Sequence, residues 1–186
     1  MVRKRLKLYY CDTNILLSFA LESENNHAKA KQVLTDLQQS YIYISPLTLI
    51  ELYTSICRRI KSGNIRFVKE LQKRIDLIPG LEEKCHYAFS LIRSYIALSL
   101  NIKIIEELND VVEEEFLGGK VSILKQYKFV LDRVPRITLK TLDLFHIFYA
   151  YELAKRGKVK YFITLDKEIK GYANEIRNEL QLEVIP

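Results

Sequence analysis

Leu8-Tyr9-Tyr10-Cys11-Asp12-Thr13-Asn14-Ile15-Leu16 is a short apolar run that ends in an acid, a small hydroxyl residue and an amide before apolar residues resume. It reads as a first strand that delivers a carboxylate to its C-terminal end. In an open parallel sheet, ligands collect outside the carboxyl ends of the strands, so Asp12 stands at the rim where chemistry is done.

Working outward, residues 26–39 have Ala30, Val33, Leu34 and Leu37 at core-facing helical spacing. Tyr41-Ile42-Tyr43-Ile44 is a second strand, and Ser45-Pro46 is a helix start, with Ser45 as N-cap and Pro46 at the first helical position. Glu51 then falls in the second turn of that helix, at the same sheet edge as Asp12. Residues 65–75 read as a helix with Val68, Leu71 and Ile75 inward, broken by Pro79-Gly80. Residues 81–100 form the longest helix, 102–105 a strand, and 121–134 a further helix closed by Pro135. From Thr138 a helix carries Asp143 and His146 three apart on one side, and Gly157 ends it. The segment 159–163 is a strand leaving through Thr164-Leu165-Asp166, followed by a helix to about residue 180 and a terminal strand at 182–185. Strands alternating with helices imply an α/β fold with a parallel sheet covered on both faces.

The 186 residues, 48% hydrophobic and 28% charged, suit one domain, and no stretch is long and apolar enough to span a membrane. The N-terminal Met1-Val2-Arg3-Lys4-Arg5 leads into a strand rather than an apolar signal segment. Three scattered cysteines, Cys11, Cys57 and Cys85, lack metal-ligand spacing and suit reduced thiols in a cytoplasmic protein.

Charge is unevenly distributed around a net +6. Between positions 58 and 74, Arg58, Arg59, Lys61, Arg66, Lys69, Lys73 and Arg74 face the single acid Glu70. Residues 120–140 hold six basic side chains against Asp132 alone, whereas 106–115 holds six acids and no base. The basic stretches are candidate faces for a phosphate backbone.

Four acids therefore have a structural reason to converge: Asp12 and Asp166 at strand ends, Glu51 and Asp143 on helices near that rim. Singly, each has an ordinary role, Asp166 as a helix cap and Asp143 as a charge favoured by a helix N-terminus. Together they repel unless cations sit between them. An all-oxygen cluster selects hard cations, Mg²⁺ or Mn²⁺, which can activate water and hold a phosphodiester for in-line attack.

Asp12-Thr13-Asn14 after a first strand, Glu51 after Ser45-Pro46, Asp143-Leu-Phe-His146 in a late helix and Thr164-Leu-Asp166 after a strand resemble PIN-domain ribonucleases, in particular VapC-type toxins. The resemblance is best over residues 7–77 and 136–186. It implies a three-layer α/β/α sandwich with a mostly parallel central sheet, and a Mg²⁺- or Mn²⁺-dependent endoribonuclease. It also implies carboxylate ligands Asp12, Glu51, Asp143 and Asp166, with Asn14 and Thr164 as polar supports. His146, one turn past the third acid at a family-typical position, is expected to pack between helices or to support the ligands, since three acids suffice for Mg²⁺. The expected partners are RNA, an antitoxin protein and a second copy of the chain in a homodimer. The departure from shorter VapC-type chains is an enlarged helical segment at about 79–135 within a single domain over 1–186. Two other readings compete: a catalytically weak RNA-binding module, and an RNA-processing nuclease without an antitoxin. A haloacid-dehalogenase-type phosphatase would need a second acid two residues past Asp12, where this chain has Asn14.

Overall fold

Alternation along the central strands assigns one side chain to each face of the sheet in turn, and two separate cores result. The computed structural model describes residues 8–106 and 108–186, so residues 1–5 of the basic start and Glu107 of the acidic stretch lie outside the described residues. β1 (Leu8–Cys11), β2 (Tyr41–Ile44), β3 (Ile102–Ile104), β6 (Tyr161–Ile163) and β7 (Glu183–Ile185) form one sheet in the order β3-β2-β1-β6-β7, and every pairing is parallel. Tyr9, Cys11, Ile42, Ile44 and Ile163 face a core closed by α1 (Thr13–Ala20), α2 (His27–Asp36), α3 (Pro46–Lys61), α4 (Lys69–Ile75) and α5 (Leu81–Ser99). Tyr10 and Phe162 face the other core, closed by α6 (Lys125–Arg133), α7 (Thr141–Lys155), α8 (Lys167–Gly171) and α9 (Ala173–Leu180). The result is the three-layer α/β/α sandwich expected from the sequence. Tyr10 and Phe162 stack with centroids 5.6 Å apart and no exposure, and burying each such ring contributes about 1.5–3 kcal/mol.

The sheet positions the site through its topology. The chain moves from β1 to β2 and β3 on one side and to β6 and β7 on the other, so the strand order reverses at the β1/β6 junction, where a crevice opens at the carboxyl ends. Cys11 pairs with Ile163, and the Asp12 amide donates to the Ile163 carbonyl at 3.0 Å. Asp12 and Thr164 are therefore neighbours at that crevice.

Several local expectations are corrected. Thr13–Ala20 is a helix absent from the sequence reading; seven of its eight residues are buried, so it carries no polar stripe to reveal a helical period. Residues 65–68 are not helical, and Phe67 instead makes an antiparallel bridge to Leu21. The helix expected over 166–180 is two, α8 and α9, joined at Tyr172.

The largest correction lies in the segment at 79–135, which is not purely helical. It contains an antiparallel hairpin of β4 (Val111–Phe116) and β5 (Gly119–Leu124), so residues 121–124 of the expected helix are strand. Leu117 and Gly118 both have positive φ, 52° and 82°, the geometry of a two-residue turn whose twist matches the flanking strands. Three consecutive glutamates in β4 oppose strand propensity, and cross-strand pairing with β5 outweighs it.

Candidate metal centre

Asp12 leaves β1 as the N-cap position of α1 and is 4% exposed. Its Oδ2 accepts from Thr164 Oγ1 at 2.7 Å and from Asn14 Nδ2 at 2.5 Å. Asn14 also donates to Thr164 Oγ1 at 3.1 Å and accepts the Leu165 amide at 3.1 Å, while Thr164 Oγ1 accepts the Asp166 amide at 3.0 Å. The ends of β1 and β6 are thus stitched by side chains, and Asp12 has its orientation fixed.

Glu51 is placed by the start of α3. Ser45 and Thr48 form a reciprocal capping box and Pro46 pre-sets the first turn, which seats the helix against the end of β2. Glu51 Oε2 accepts from Thr13 Oγ1 at 2.6 Å and lies 2.6 Å from His146 Nε2. Asp143 sits in the first turn of α7 and has a buried Oδ2 with no hydrogen-bond partner. Asp166 caps α8, its Oδ1 accepting the Glu168 amide at 2.7 Å. Asp12, Asn14, Glu51, Arg58, Asp143 and Asp166 all line one open cleft of about 320 Å³. A larger cavity of about 530 Å³ between β3 and the end of α7 sets the acids Glu106, Asp110 and Glu152 among the bases Lys103, Arg156 and Lys158.

The four acids are not equivalent. Asp12, Glu51 and His146 offer ligand atoms that all lie within 4.8 Å of one another. Asp143 and Asp166 share the cleft but stand outside that inner group. Burial pushes the Asp12 carboxyl up. Burial also raises Asp143, and the charges of Asp12 and Asp166 add to it, so its pKa reaches about 6 from an ordinary 3.8. Burial would raise Glu51 as well, but hydrogen bonds from His146 and Thr13 hold it below its usual range. For His146, burial opposes protonation, and the hydrogen bond to Glu51 with the charge of Asp12 outweighs it and raises the pKa.

A divalent cation fits this donor set. The orphaned Asp143 oxygen is the kind of buried acceptor that a cation satisfies, and the raised carboxyls report charge that awaits neutralisation. A pH dependence follows. A carboxyl raised in the folded state stabilises the fold below pH 4 and loses that contribution as pH climbs through about 6. Denaturant unfolding of metal-free wild type and Asp143→Asn is therefore expected to diverge between pH 4 and 7, the variant gaining relative stability as pH rises. A difference that is flat across this window contradicts the assignment.

The basic stretches fare differently. All six basic residues of 120–140 are in ion pairs: Lys120 with Glu113 (3.6 Å), Lys125 with Glu152 (3.1 Å), Lys128 with Glu114 (2.8 Å), Arg133 with Glu179 (2.5 Å), Arg136 with Glu179 (3.5 Å) and Lys140 with Glu168 (3.3 Å). That face is largely self-neutralised. In the first stretch Arg59 is held by Glu24 at 2.8 Å and Arg66 pairs loosely with Glu22 at 3.5 Å. Arg58, Lys61, Lys69, Lys73 and Arg74 are exposed on α3 and α4. Arg58 is seven residues past Glu51 on the same helical face, roughly 10 Å along the axis, and it lines the cleft.

Sequence reasoning read Ser45 as a helix cap and Thr13 as part of the first motif, but did not place Tyr10, Thr13 or Ser45 in the hydrogen-bond network of the site. Thr13 contributes a hydroxyl to Glu51, and Tyr10 joins Ser45 to His146. Thr13 had a visible signal, a hydroxyl beside the first acid. Tyr10 had none, being one aromatic residue in an apolar strand.

Among the described residues, no helix is long and apolar enough to cross a membrane. A family model described as PIN domain matches residues 9–175. No curated protein matches the chain.

Proposed function

We propose, for a chain that belongs to the PIN-domain family, that it is a Mg²⁺- or Mn²⁺-dependent endoribonuclease acting in the cytoplasm, with Asp12, Glu51, Asp143 and Asp166 holding the ion. Domains of this family are typically metal-dependent nucleases. The observation that carries the reading is the buried, unpartnered Asp143 oxygen in a cleft that also holds Asp12, Glu51 and Asp166.

A divalent cation supplies charge neutralisation at the scissile phosphate and acidifies water for attack. The chain's own residues do the rest. Thr164 and Asn14 hold Asp12, Thr13 and His146 hold Glu51, and the strand-end register sets the spacing between them. Arg58, at the cleft wall, offers a bidentate donor to a phosphate next to the reacting one. The exposed cations of α3 and α4 extend that path along the backbone of RNA.

The test uses thermal unfolding and cleavage together. Millimolar Mn²⁺ is expected to raise the melting temperature, since a ligand at a hundred times its Kd adds about 2.7 kcal/mol, and a pool of structured RNAs should be cut only when a chelator is absent. A melting temperature indifferent to Mn²⁺, with chelator-insensitive cleavage, sinks the proposal.

The toxin role of a toxin–antitoxin pair, with an antitoxin protein and a homodimer as partners, is the finer form of this proposal. The strand-end and helix motifs at 7–77 and 136–186 support it. A short DNA-binding protein encoded just upstream, and growth arrest relieved by its co-expression, are the expected findings. Growth unaffected by expression favours an RNA-processing nuclease instead.

A further inference from the structure

His146 is 1% exposed and both of its ring nitrogens are engaged. Nδ1 lies 2.8 Å from the Tyr10 phenol oxygen, and the Tyr10 hydroxyl donates to Ser45 Oγ, also at 2.8 Å. The phenol has one proton and Ser45 takes it, so towards His146 the Tyr10 oxygen accepts and Nδ1 carries the hydrogen. Nε2 is thereby the nitrogen presented to the cleft, 2.6 Å from Glu51 Oε2 and 4.0 Å from Asp12 Oδ1. A histidine that donates one N–H to a fixed acceptor and aims the other nitrogen at carboxylates has the outer support and tautomer of a metal-binding imidazole.

We propose that His146 Nε2 is an inner ligand of the ion beside Asp12 and Glu51, that this nitrogen makes the site prefer first-row transition dications such as Mn²⁺ over Mg²⁺, and that Tyr10 is the positioning residue that fixes the tautomer. The inference rests on the metal-site reading above. Oxygen-only sets suit Mg²⁺, whereas an imidazole in the set shifts preference towards transition metals. The hydrogen now shared by Nε2 and Glu51 is released to solvent as the cation takes its place between them.

Electron spin-echo modulation of Mn²⁺ bound to the full chain reads the ligand atom directly. Wild type is expected to show modulation from a coordinated nitrogen. The same signal should persist in the double variant His27→Gln/His86→Gln, which removes the other two histidines, and vanish in His146→Gln. By calorimetry, His146→Gln should lower the ratio of Mn²⁺ to Mg²⁺ affinity about tenfold. Tyr10→Phe, which keeps the stacked ring, should retain the nitrogen signal with weaker Mn²⁺ binding. Mn²⁺ bound to wild type without nitrogen modulation overturns the inference and leaves an all-carboxylate site standing. No Mn²⁺ binding to wild type overturns both.

Discussion

Asp12→Asn is expected to lower metal-dependent RNA cleavage about a thousandfold while the protein remains folded. The amide keeps the shape of the carboxylate, and its oxygen can still accept from Thr164 and Asn14, so the stitching of β1 to β6 survives. What disappears is a ligand charge next to Glu51. Removing a buried carboxyl whose pKa is raised by burial relieves a cost to the metal-free fold, so the melting temperature without metal should match or exceed that of wild type. Mn²⁺ should no longer raise it. RNA should still bind, because the cations of α3 and α4 are untouched. Equal residual cleavage by wild type and variant would identify a contaminating nuclease and favour the RNA-binding-module reading.

Reversing three exposed cations, Arg58 at the cleft with Lys69 and Lys73 on α4, in Arg58→Glu/Lys69→Glu/Lys73→Glu, is expected to weaken RNA binding by roughly a hundredfold or more at low salt. The slope of log affinity against log salt should shrink by about 2, since each phosphate of a single strand that is no longer neutralised accounts for about 0.7. Metal affinity should change little, because none of the three contributes to the inner ligand group. The contrast is Lys120→Glu/Lys128→Glu. Those lysines already pair with Glu113, Glu114 and Asp132, so reversing them sets like charges together and costs stability while RNA affinity stays within about threefold. Binding that follows the second pair of substitutions rather than the first would move the RNA path to the hairpin side of the molecule.

The strands of the central sheet and the cleft-lining acids were legible because local chemistry punctuates them. A strand ending in Asp12-Thr13-Asn14, a Ser45-Pro46 helix start and a Thr164-Leu165-Asp166 exit are each short-range signals, and parallel topology brings them to one rim. The first helix was illegible for a physical reason: Thr13–Ala20 is buried on nearly every side, and its apolar run has no period to read. The hairpin was hidden because glutamates fill β4 and a leucine takes a left-handed turn position that Asn or Gly usually marks. The neutralised basic face could not be seen either, since partners such as Glu152 and Glu179 lie far along the chain from Lys125 and Arg133. His146 shows the same limit at the cleft. Its spacing from Asp143 was visible, but its hydrogen bonds with Tyr10 and Glu51 span 136 and 95 residues and depend on how α7 packs across β1 and α3.

That the cleft at the ends of β1 and β6 holds a divalent cation between named side chains is tested most directly by an anomalous difference map from a crystal soaked in Mn²⁺. The strongest peak is expected at roughly 2.2 Å from carboxylate oxygens of both Asp12 and Glu51. A map whose Mn²⁺ peaks all lie elsewhere on the protein would contradict it.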